Sequence, residues 1–196
     1  MGEKTLIATY YSFEPFVAAF HEFVPQRVKL IVAKDTLKKI EEHLTRVNEV
    51  YGKISKIEVI EVNGSDVYEI AKTTVGLLEK YKSDTIFVNV SGGWKLLAQG
   101  VLYGCYVRSN LVSKIVCNNL QDNSVLELPK FRFEFSGSKF KILETLSKRN
   151  GDSISEIAKK VGKSKAMVYQ HLDDLKDGGY VDSEYNLTMA GKIALL

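Results

Sequence analysis

The sequence predicts an α/β protein: a domain built on a parallel sheet, followed by a smaller domain that is mainly helical. Over the first two-thirds of the chain, short apolar runs alternate with longer segments whose apolar residues follow the three- and four-residue step of a helix. This alternation ends at Pro129 and at the small residues Ser136-Gly137-Ser138. We therefore expect a sheet domain at 1–130, a linker at 131–137 and a second domain at 138–196.

The first domain contains apolar runs bounded by turn residues, separated by amphipathic segments long enough for helices. Strand–helix–strand units of this kind give parallel strands with helices on both faces of the sheet. Ser65 precedes an acidic first turn and is the expected N-cap of its helix. The expected strands are Lys4–Thr9, Val28–Ala33, Ile57–Val62, Thr85–Val90, Lys114–Cys117 and Val125–Leu128, and the expected helices are Glu14–Phe23, Thr36–Tyr51, Ser65–Tyr81 and Trp94–Arg108.

The composition is that of an ordinary globular protein and excludes several classes of function. Of 196 residues, 45% are hydrophobic and 26% are charged, which suffices for a core without disulfide or metal staples. Cys105 and Cys117 have no metal-binding spacing, and no segment resembles a signal peptide or a membrane span. A net charge of +3 permits nucleic acid as a partner without arguing for it. We expect a soluble, cytoplasmic protein with no metal site and no membrane contact.

Two loops of the first domain predict a binding site for a phosphate-bearing ligand. The fourth strand runs into Ser91-Gly92-Gly93-Trp94-Lys95, where glycines allow close backbone approach and a helix N-terminus offers free N–H groups to an anion. The loop after the first strand supplies Tyr10, Tyr11, Ser12 and Phe13, whose rings suit stacking on bases. Ligands of open α/β sheets bind at this edge, the carboxyl ends of the strands. The loop matches neither the P-loop nor the dinucleotide fingerprint, and tight strand-to-helix packing is the alternative explanation of its glycines.

The second domain has the pattern of a winged helix-turn-helix. Helices are expected at Lys139–Arg149, from Ser153 to Val161-Gly162, and from Ser164 to Asp177, with a turn at 150–152 and a hairpin wing at Tyr180–Leu187 before a closing helix. In the third helix Val168, Leu172 and Leu175 share a core face. The opposite face predicts a DNA interface, with Lys163 and Lys165 at phosphates and Tyr169 and Gln170 at base edges. The predicted interface consists of Lys163, Ser164, Lys165, Ala166, Tyr169 and Gln170.

The segment Ile154–Val181 resembles winged helix-turn-helix regulators of the arsenic- and multiple-antibiotic-resistance types. Together, the two domains resemble archaeal CRISPR-associated regulators of the Csa type, in which a Rossmann-like (CARF) domain is fused to a winged helix. This resemblance implies a homodimer formed by the CARF domains, which binds a cyclic oligoadenylate, typically the tetra-adenylate, across the two-fold axis. It places Ser91, Gly92, Gly93 and Lys95 on the ligand loop. Trp94 stands at a position where many members of the family have threonine or another small residue.

Three functions are compatible with these features. The first is a ligand-responsive transcription regulator of CRISPR-Cas genes, which binds double-stranded DNA and needs no cofactor and no catalytic residue. The second is a ring nuclease, since some CARF domains cleave the ligand they bind and Ser12 and Lys95 could align the ribose hydroxyl and stabilise the developing charge. The third is a ligand-binding scaffold whose winged helix contacts protein rather than DNA.

Overall fold

A computed structural model describes residues 2–119, 121–122, 124–131, 133, 135–148 and 153–196. The chain divides into two compact units, residues 1–132 and 133–196. The expected turn at 150–152 and the expected helix end at residue 149 lie outside the described residues. No described helix is long and apolar enough to cross a membrane.

The first unit is built on one six-stranded sheet. The strands are β1 Lys4–Thr9, β2 Arg27–Ala33, β3 Lys56–Val62, β4 Thr85–Asn89, β5 Val112–Asn118 and β6 Val125–Leu128. Their order across the sheet is β3-β2-β1-β4-β5-β6. The first five strands are parallel, which confirms the α/β class, but β6 pairs antiparallel with β5. The short connection between β5 and β6 explains this difference, because a parallel crossover needs a dozen or more residues.

Two pairs of helices cover the two faces of this sheet, and each pair buries its own apolar cluster against the strands. They are α1 Phe13–Phe23 and α2 Leu37–Tyr51 on one face, and α3 Val67–Lys80 and α4 Lys95–Val107 on the other. Asp66 caps α3 by accepting a hydrogen bond from the Glu69 N–H at 3.0 Å, so the expectation of Ser65 as the N-cap is wrong. The helix begins one residue later than expected, so the carboxylate of Asp66 takes the N-cap position and accepts the N–H of the third helical residue.

Helices α3 and α4 pack closely because α4 has glycines one turn apart on the facing side. A methyl group built on Gly100 would lie 2.6 Å from Ile70 Cγ2, and one built on Gly104 would lie 2.6 Å from Thr74 Cβ. Both distances are well inside van der Waals contact, so only glycine permits this spacing. The start of α4 is thereby fixed beside the start of α3.

The second unit packs its helices around one apolar cluster that includes Val168, Leu172 and Leu175, as predicted. The helices are α5 Gly137–Ser147, α6 Ile154–Val161, α7 Lys165–Asp177 and α8 Met189–Ala194. A capping box between Ser153 and Glu156 begins α6, and Ser164 caps α7 by accepting the Met167 N–H at 3.3 Å. The expected hairpin wing is present as a single bridge between Val181 and Leu187, and Tyr185 in the turn between them has a positive φ of 60°.

Candidate functional site

The order of strands reverses between β1 and β4, so the chain leaves these neighbouring strands in opposite directions. Such a switch point opens a crevice at the carboxyl edge of the sheet, where ligands of open α/β folds bind. The two predicted loops follow these two strands and contact each other, because the Gly92 N–H donates to Thr9 Oγ1 at 3.1 Å. The structure therefore brings the two sequence motifs to one edge.

The two glycines of the second loop are required by the backbone. A methyl group on Gly92 would lie 2.3 Å from the carbonyl oxygen of Thr9, and Gly93 has a φ of 78°. The first distance excludes any side chain, and the second conformation is one that glycine adopts without strain. Close packing against β1 is thus sufficient to explain Gly92, in agreement with the alternative explanation that tight packing requires the glycines.

Ser91 uses its hydroxyl group inside the protein. Its Oγ lies 2.5 Å from Asn89 Oδ1 and 2.7 Å from Asn118 Oδ1, and it accepts the Asn118 N–H at 2.6 Å. A serine has one proton to donate, and here that proton is directed at an asparagine carbonyl oxygen. Ser91 therefore holds the loop against the end of β5 through these hydrogen bonds, and its place among the ligand-binding residues stays a prediction.

Sequence reasoning missed Asn89 and Asn118, which end β4 and β5 and are both buried. Asn89 Nδ2 donates to Asn118 Oδ1 and to the Pro15 carbonyl oxygen, both at 3.1 Å, and so ties α1 to this edge. An asparagine at the end of each of two apolar strands could have predicted this hydrogen-bonded pair, because a buried amide group requires hydrogen-bond partners.

The first loop divides into one buried ring and three more accessible residues. Tyr10 is 1% exposed and packs edge-on against Phe16, so its predicted role in stacking on a ligand is wrong. Burial, followed by the nearby Glu14 carboxylate, raises the pKa of Tyr10 to about 12. Tyr11 is exposed, and Ser12 precedes α1 without making a capping hydrogen bond through its side chain.

Two basic residues of α2 approach this loop and were not predicted. The guanidinium of Arg46 lies 4.5 Å from the ring centre of Phe13, a cation–π distance. The Nδ1 of His43 lies 3.3 Å from the Tyr11 carbonyl oxygen. The crossing of α2 over the first loop results from tertiary packing, so no local pattern marked either residue.

At the start of α4, Lys95 is exposed and has no ion-pair partner among the residues that the structure describes. The first turn of α4 contains no acidic residue. The positive end of the helix dipole and the Lys95 ammonium therefore act together on this edge. Trp94 is the N-cap residue, and its indole is 41% exposed.

In the second unit, the predicted DNA-facing residues all lie on the exposed side of α7 and of the turn before it. They are Lys163, Ser164, Lys165, Ala166, Tyr169 and Gln170. Acidic residues further along α7 have partners: Lys139 Nζ lies 2.8 Å from Asp174 Oδ2, and Tyr185 donates to Asp173 Oδ1 at 3.5 Å. The hydrogen bond from Lys139 lowers the pKa of Asp174. The basic end of α7 is therefore the half suited to phosphate contact.

The structure describes no group of three or more histidine, cysteine, aspartate or glutamate side chains able to hold a metal ion. His171 of α7 is partly buried and belongs to no such group among the described side chains.

Comparison with protein families defines the class of each unit. Residues 136–183 match the family described as "Bacterial regulatory protein, arsR family", a helix-turn-helix family. Residues 6–118, more than half of the chain, match the family described as "HFX_2341_N:-like, N-terminal". The chain belongs to this HFX_2341_N-like family and carries an arsR-type helix-turn-helix domain after it. A search of the curated proteins finds no match.

Solved structures show the same fold at low sequence identity. Csm6 of Enterococcus italicus, bound to cyclic hexa-2′-fluoro-hexa-dAMP, is 13% identical with a TM-score of 0.55, over 94% of this chain and 57% of Csm6. Protein VC1899 of Vibrio cholerae is 16% identical with a TM-score of 0.53, over 98% of this chain and 64% of VC1899. The chain thus spans about three-fifths of the length of each. The Rossmann-like fold and the two-domain architecture implied by the resemblance to CARF–winged-helix regulators are confirmed.

Proposed function

We propose that the protein is a ligand-responsive transcription regulator of CRISPR-Cas genes that senses a cyclic oligoadenylate, typically the tetra-adenylate. One observation carries this proposal: a single chain joins an arsR-type helix-turn-helix to an α/β domain with Lys95 at its switch point. Lys95 begins a helix and has no ion pair among the described residues. A sensor of this kind needs one domain for the signal and one for DNA. Regulation follows if ligand binding favours one arrangement of the dimer over another.

The chemistry of the crevice supports an anionic ligand. Lys95 and the first N–H groups of α4 attract phosphates, and the Ser12 hydroxyl makes no capping hydrogen bond that would compete with a ligand. Exposed Tyr11 offers a ring for base stacking. The Csm6 structure of the same fold holds a cyclic hexanucleotide. The proposed ligand residues are therefore Tyr11, Ser12, Phe13, Trp94 and Lys95, with Ser91, Gly92 and Gly93 shaping the loop.

A homodimer through the first unit is part of the proposal. Helix α4 exposes Leu96 and Tyr103, seven residues apart on one face, with Leu102 and Tyr106 half-buried beside them. An apolar face that begins at Lys95 would bring two copies of the ligand site to one two-fold axis, as a symmetric cyclic ligand requires. Light scattering on the full chain should give twice the mass of one chain, and Leu96→Glu should shift it toward the monomer. A wild-type monomer at micromolar concentration would contradict this part.

The test of the signal is calorimetry of the full chain with cyclic tetra-adenylate, cyclic hexa-adenylate and linear tetra-adenylate. We expect binding of a cyclic form with a stoichiometry of one ligand per dimer. Gel shifts with CRISPR promoter DNA, with and without the bound ring, then test regulation. If a cyclic adenylate binds and no DNA does, the protein is a ligand-binding scaffold and not a transcription regulator.

Ring cleavage is a second candidate, because Ser12 and Lys95 follow the neighbouring strands β1 and β4. Within the described part of the chain, the Ser12 side chain makes no capping hydrogen bond and Lys95 has no ion pair. A serine and a lysine there could orient a ribose 2′-hydroxyl and stabilise charge on the phosphate as the ring opens. Incubation with radiolabelled cyclic tetra-adenylate in molar excess distinguishes the two functions. Linear product accumulating beyond one turnover, and lost in Ser12→Ala, would identify a ring nuclease.

The DNA interface is tested by two substitutions on α7. Lys165→Ala should weaken binding to every duplex and reduce the slope of log affinity against log salt by about one unit, because it removes one phosphate contact. Gln170→Ala should cost about 1–3 kcal/mol on the operator only, because it removes base readout. Equal losses on operator and scrambled duplexes for both variants would show that α7 does not read bases.

A further inference from the structure

The indole of Trp94 lies on the loop between β3 and α3. A methyl group built on Gly64 would approach Trp94 Cε3 to 3.4 Å and Cζ3 to 3.6 Å, and Ala33 Cβ to 2.6 Å. The six-membered ring of the indole therefore rests beside Gly64, at the carboxyl ends of β2 and β3. Since 41% of Trp94 stays exposed, part of the ring is open to solvent.

The support beneath this ring is held by hydrogen bonds. The Ser65 N–H donates to Asn63 Oδ1 at 3.1 Å, and the Asn63 N–H donates to Glu69 Oε1 at 3.3 Å. The Asp66 carboxylate accepts the Glu69 N–H, which fixes the start of α3. A loop fixed in this way keeps the indole in place before a ligand arrives, so ordering it costs little on binding.

The two ends of the crevice carry opposite charges. Asp66 and Glu69 place carboxylates at the start of α3 and offset the positive end of its dipole. The first turn of α4 has no carboxylate and begins with Lys95. A phosphate is therefore attracted to α4 and repelled from α3. The part of a nucleotide that can extend past Trp94 toward α3 is its uncharged, aromatic part.

We propose that Trp94, supported by Gly64, is a stacking platform for a nucleobase, so that the crevice has a phosphate end at Lys95 and a base end at the β3–α3 loop. The proposal rests on the proposed function, because it assigns a subsite for the nucleotide ligand. The indole has a support here because Gly64 approaches Ala33 closely, where a side chain would lie 2.6 Å from Ala33 Cβ, and so holds the β3–α3 loop beside the ring.

Trp94 is the only tryptophan of the chain, so its fluorescence reports on this subsite alone. Cyclic tetra-adenylate, titrated into the full chain, should quench Trp94 emission in step with the heat measured by calorimetry. Inorganic tetraphosphate, which has phosphates and no base, should leave the emission unchanged at concentrations that compete for Lys95. Quenching by both probes to the same extent would overturn the assignment of a base to the indole.

Substitutions then separate stacking from packing. Trp94→Phe retains an aromatic face and should bind cyclic tetra-adenylate within about threefold of wild type, whereas Trp94→Thr should lose about tenfold or more. Phe140→Thr, at an aromatic residue of the second unit that is 37% exposed, is the matched control and should bind like wild type. Thermal melts check that each variant folds.

The outcomes distinguish the two levels of the proposal. Heat without quenching, together with unchanged affinity in Trp94→Thr, would overturn the stacking platform and leave the proposed function intact. Equal losses in Trp94→Phe and Trp94→Thr would also overturn it, because the phenyl ring should stack. No heat with any cyclic adenylate would overturn the proposed ligand and the base subsite together.

Discussion

The two edges of the sheet carry similar side chains and use them differently. At the amino edge, Asp84 contacts Arg27 at 2.6 Å and accepts the Thr5 hydroxyl at 2.7 Å, and Arg27 also reaches Glu3 at 2.6 Å. At the carboxyl edge, Lys95 has no ion pair within the described part of the chain. Charges that pair with one another are occupied within the fold, and removing one partner is destabilising, whereas a charge without such a pair at a switch point is available to a ligand.

Lys29 illustrates the structural use of a charge in the same sheet. It lies in β2, is 5% exposed and pairs with Glu58 of β3. Burial is the largest single influence and lowers its pKa, but the hydrogen bonds and charge interactions with Glu58 and Tyr81 together outweigh burial and keep the pKa of Lys29 above its ordinary value. A buried lysine is therefore no sign of function when a carboxylate faces it.

The largest expected effect tests whether the ligand loop is also a structural element. Gly92→Val should destabilise the protein by about 3 kcal/mol or prevent folding, because a Cβ would lie 2.3 Å from the Thr9 carbonyl oxygen, and backbone cannot move aside cheaply. Denaturant unfolding measures this. Gly76→Ala is the control: apart from its own helix backbone and chain neighbours, no described atom lies within 4 Å of its built Cβ, so the helix should gain up to about 1 kcal/mol. Similar stability in both variants would show that Gly92 is not held against β1.

The next effect should appear in binding and leave stability unchanged. Lys95→Ala should weaken cyclic tetra-adenylate by about 1.5–3 kcal/mol, the range of a charge-assisted hydrogen bond. Unfolding free energy should change by no more than about 0.5 kcal/mol, because Lys95 is exposed. Calorimetry and urea unfolding on the same sample measure both. An unchanged affinity would show that Lys95 does not bind the ligand, and the proposed functional contrast between the two edges of the sheet would then be wrong.

Asp84→Ala should have the opposite effects to Lys95→Ala: it should lower the unfolding free energy and leave the ligand affinity nearly unchanged. It leaves the half-buried Arg27 and the Thr5 hydroxyl without their shared acceptor, which should cost about 1.5 kcal/mol of unfolding free energy. Ligand affinity should stay within about twofold of wild type, since Asp84 lies at the far edge of the sheet. A loss of affinity comparable with that of Lys95→Ala would mean that the edges are coupled.

The smallest expected effect is the contribution of Glu58 to the pH dependence of the unfolding free energy. Its hydrogen bond with Lys29 holds the pKa of Glu58 below the ordinary value of 4.5. A carboxyl group of this kind contributes stability that is present above its unfolded pKa and lost as the pH falls through its folded pKa. The side chain is 50% exposed, so the contribution is small. Between about pH 6 and pH 3, wild type should lose more unfolding free energy than Glu58→Gln, and equal losses would contradict this role.

The sequence by itself determined the elements and their class. Strand and helix periods are local properties of consecutive residues, so β1 and β6 have the predicted ends and α7 begins after its predicted cap, Ser164. The glycines at 92 and 93 correctly marked the loop at the switch point, because their backbone demands are local as well.

Only the tertiary structure decided how the side chains at that loop are used. Tyr10 is adjacent to Tyr11 in sequence, yet it is buried against Phe16 and its ring is therefore not exposed for stacking. The Ser91 proton is taken by asparagines that end two different strands, and the indole of Trp94 finds its support at Gly64 of a third loop. Each of these outcomes depends on contacts between residues distant in sequence, because burial and hydrogen-bond partners are set by packing and have no period along the chain.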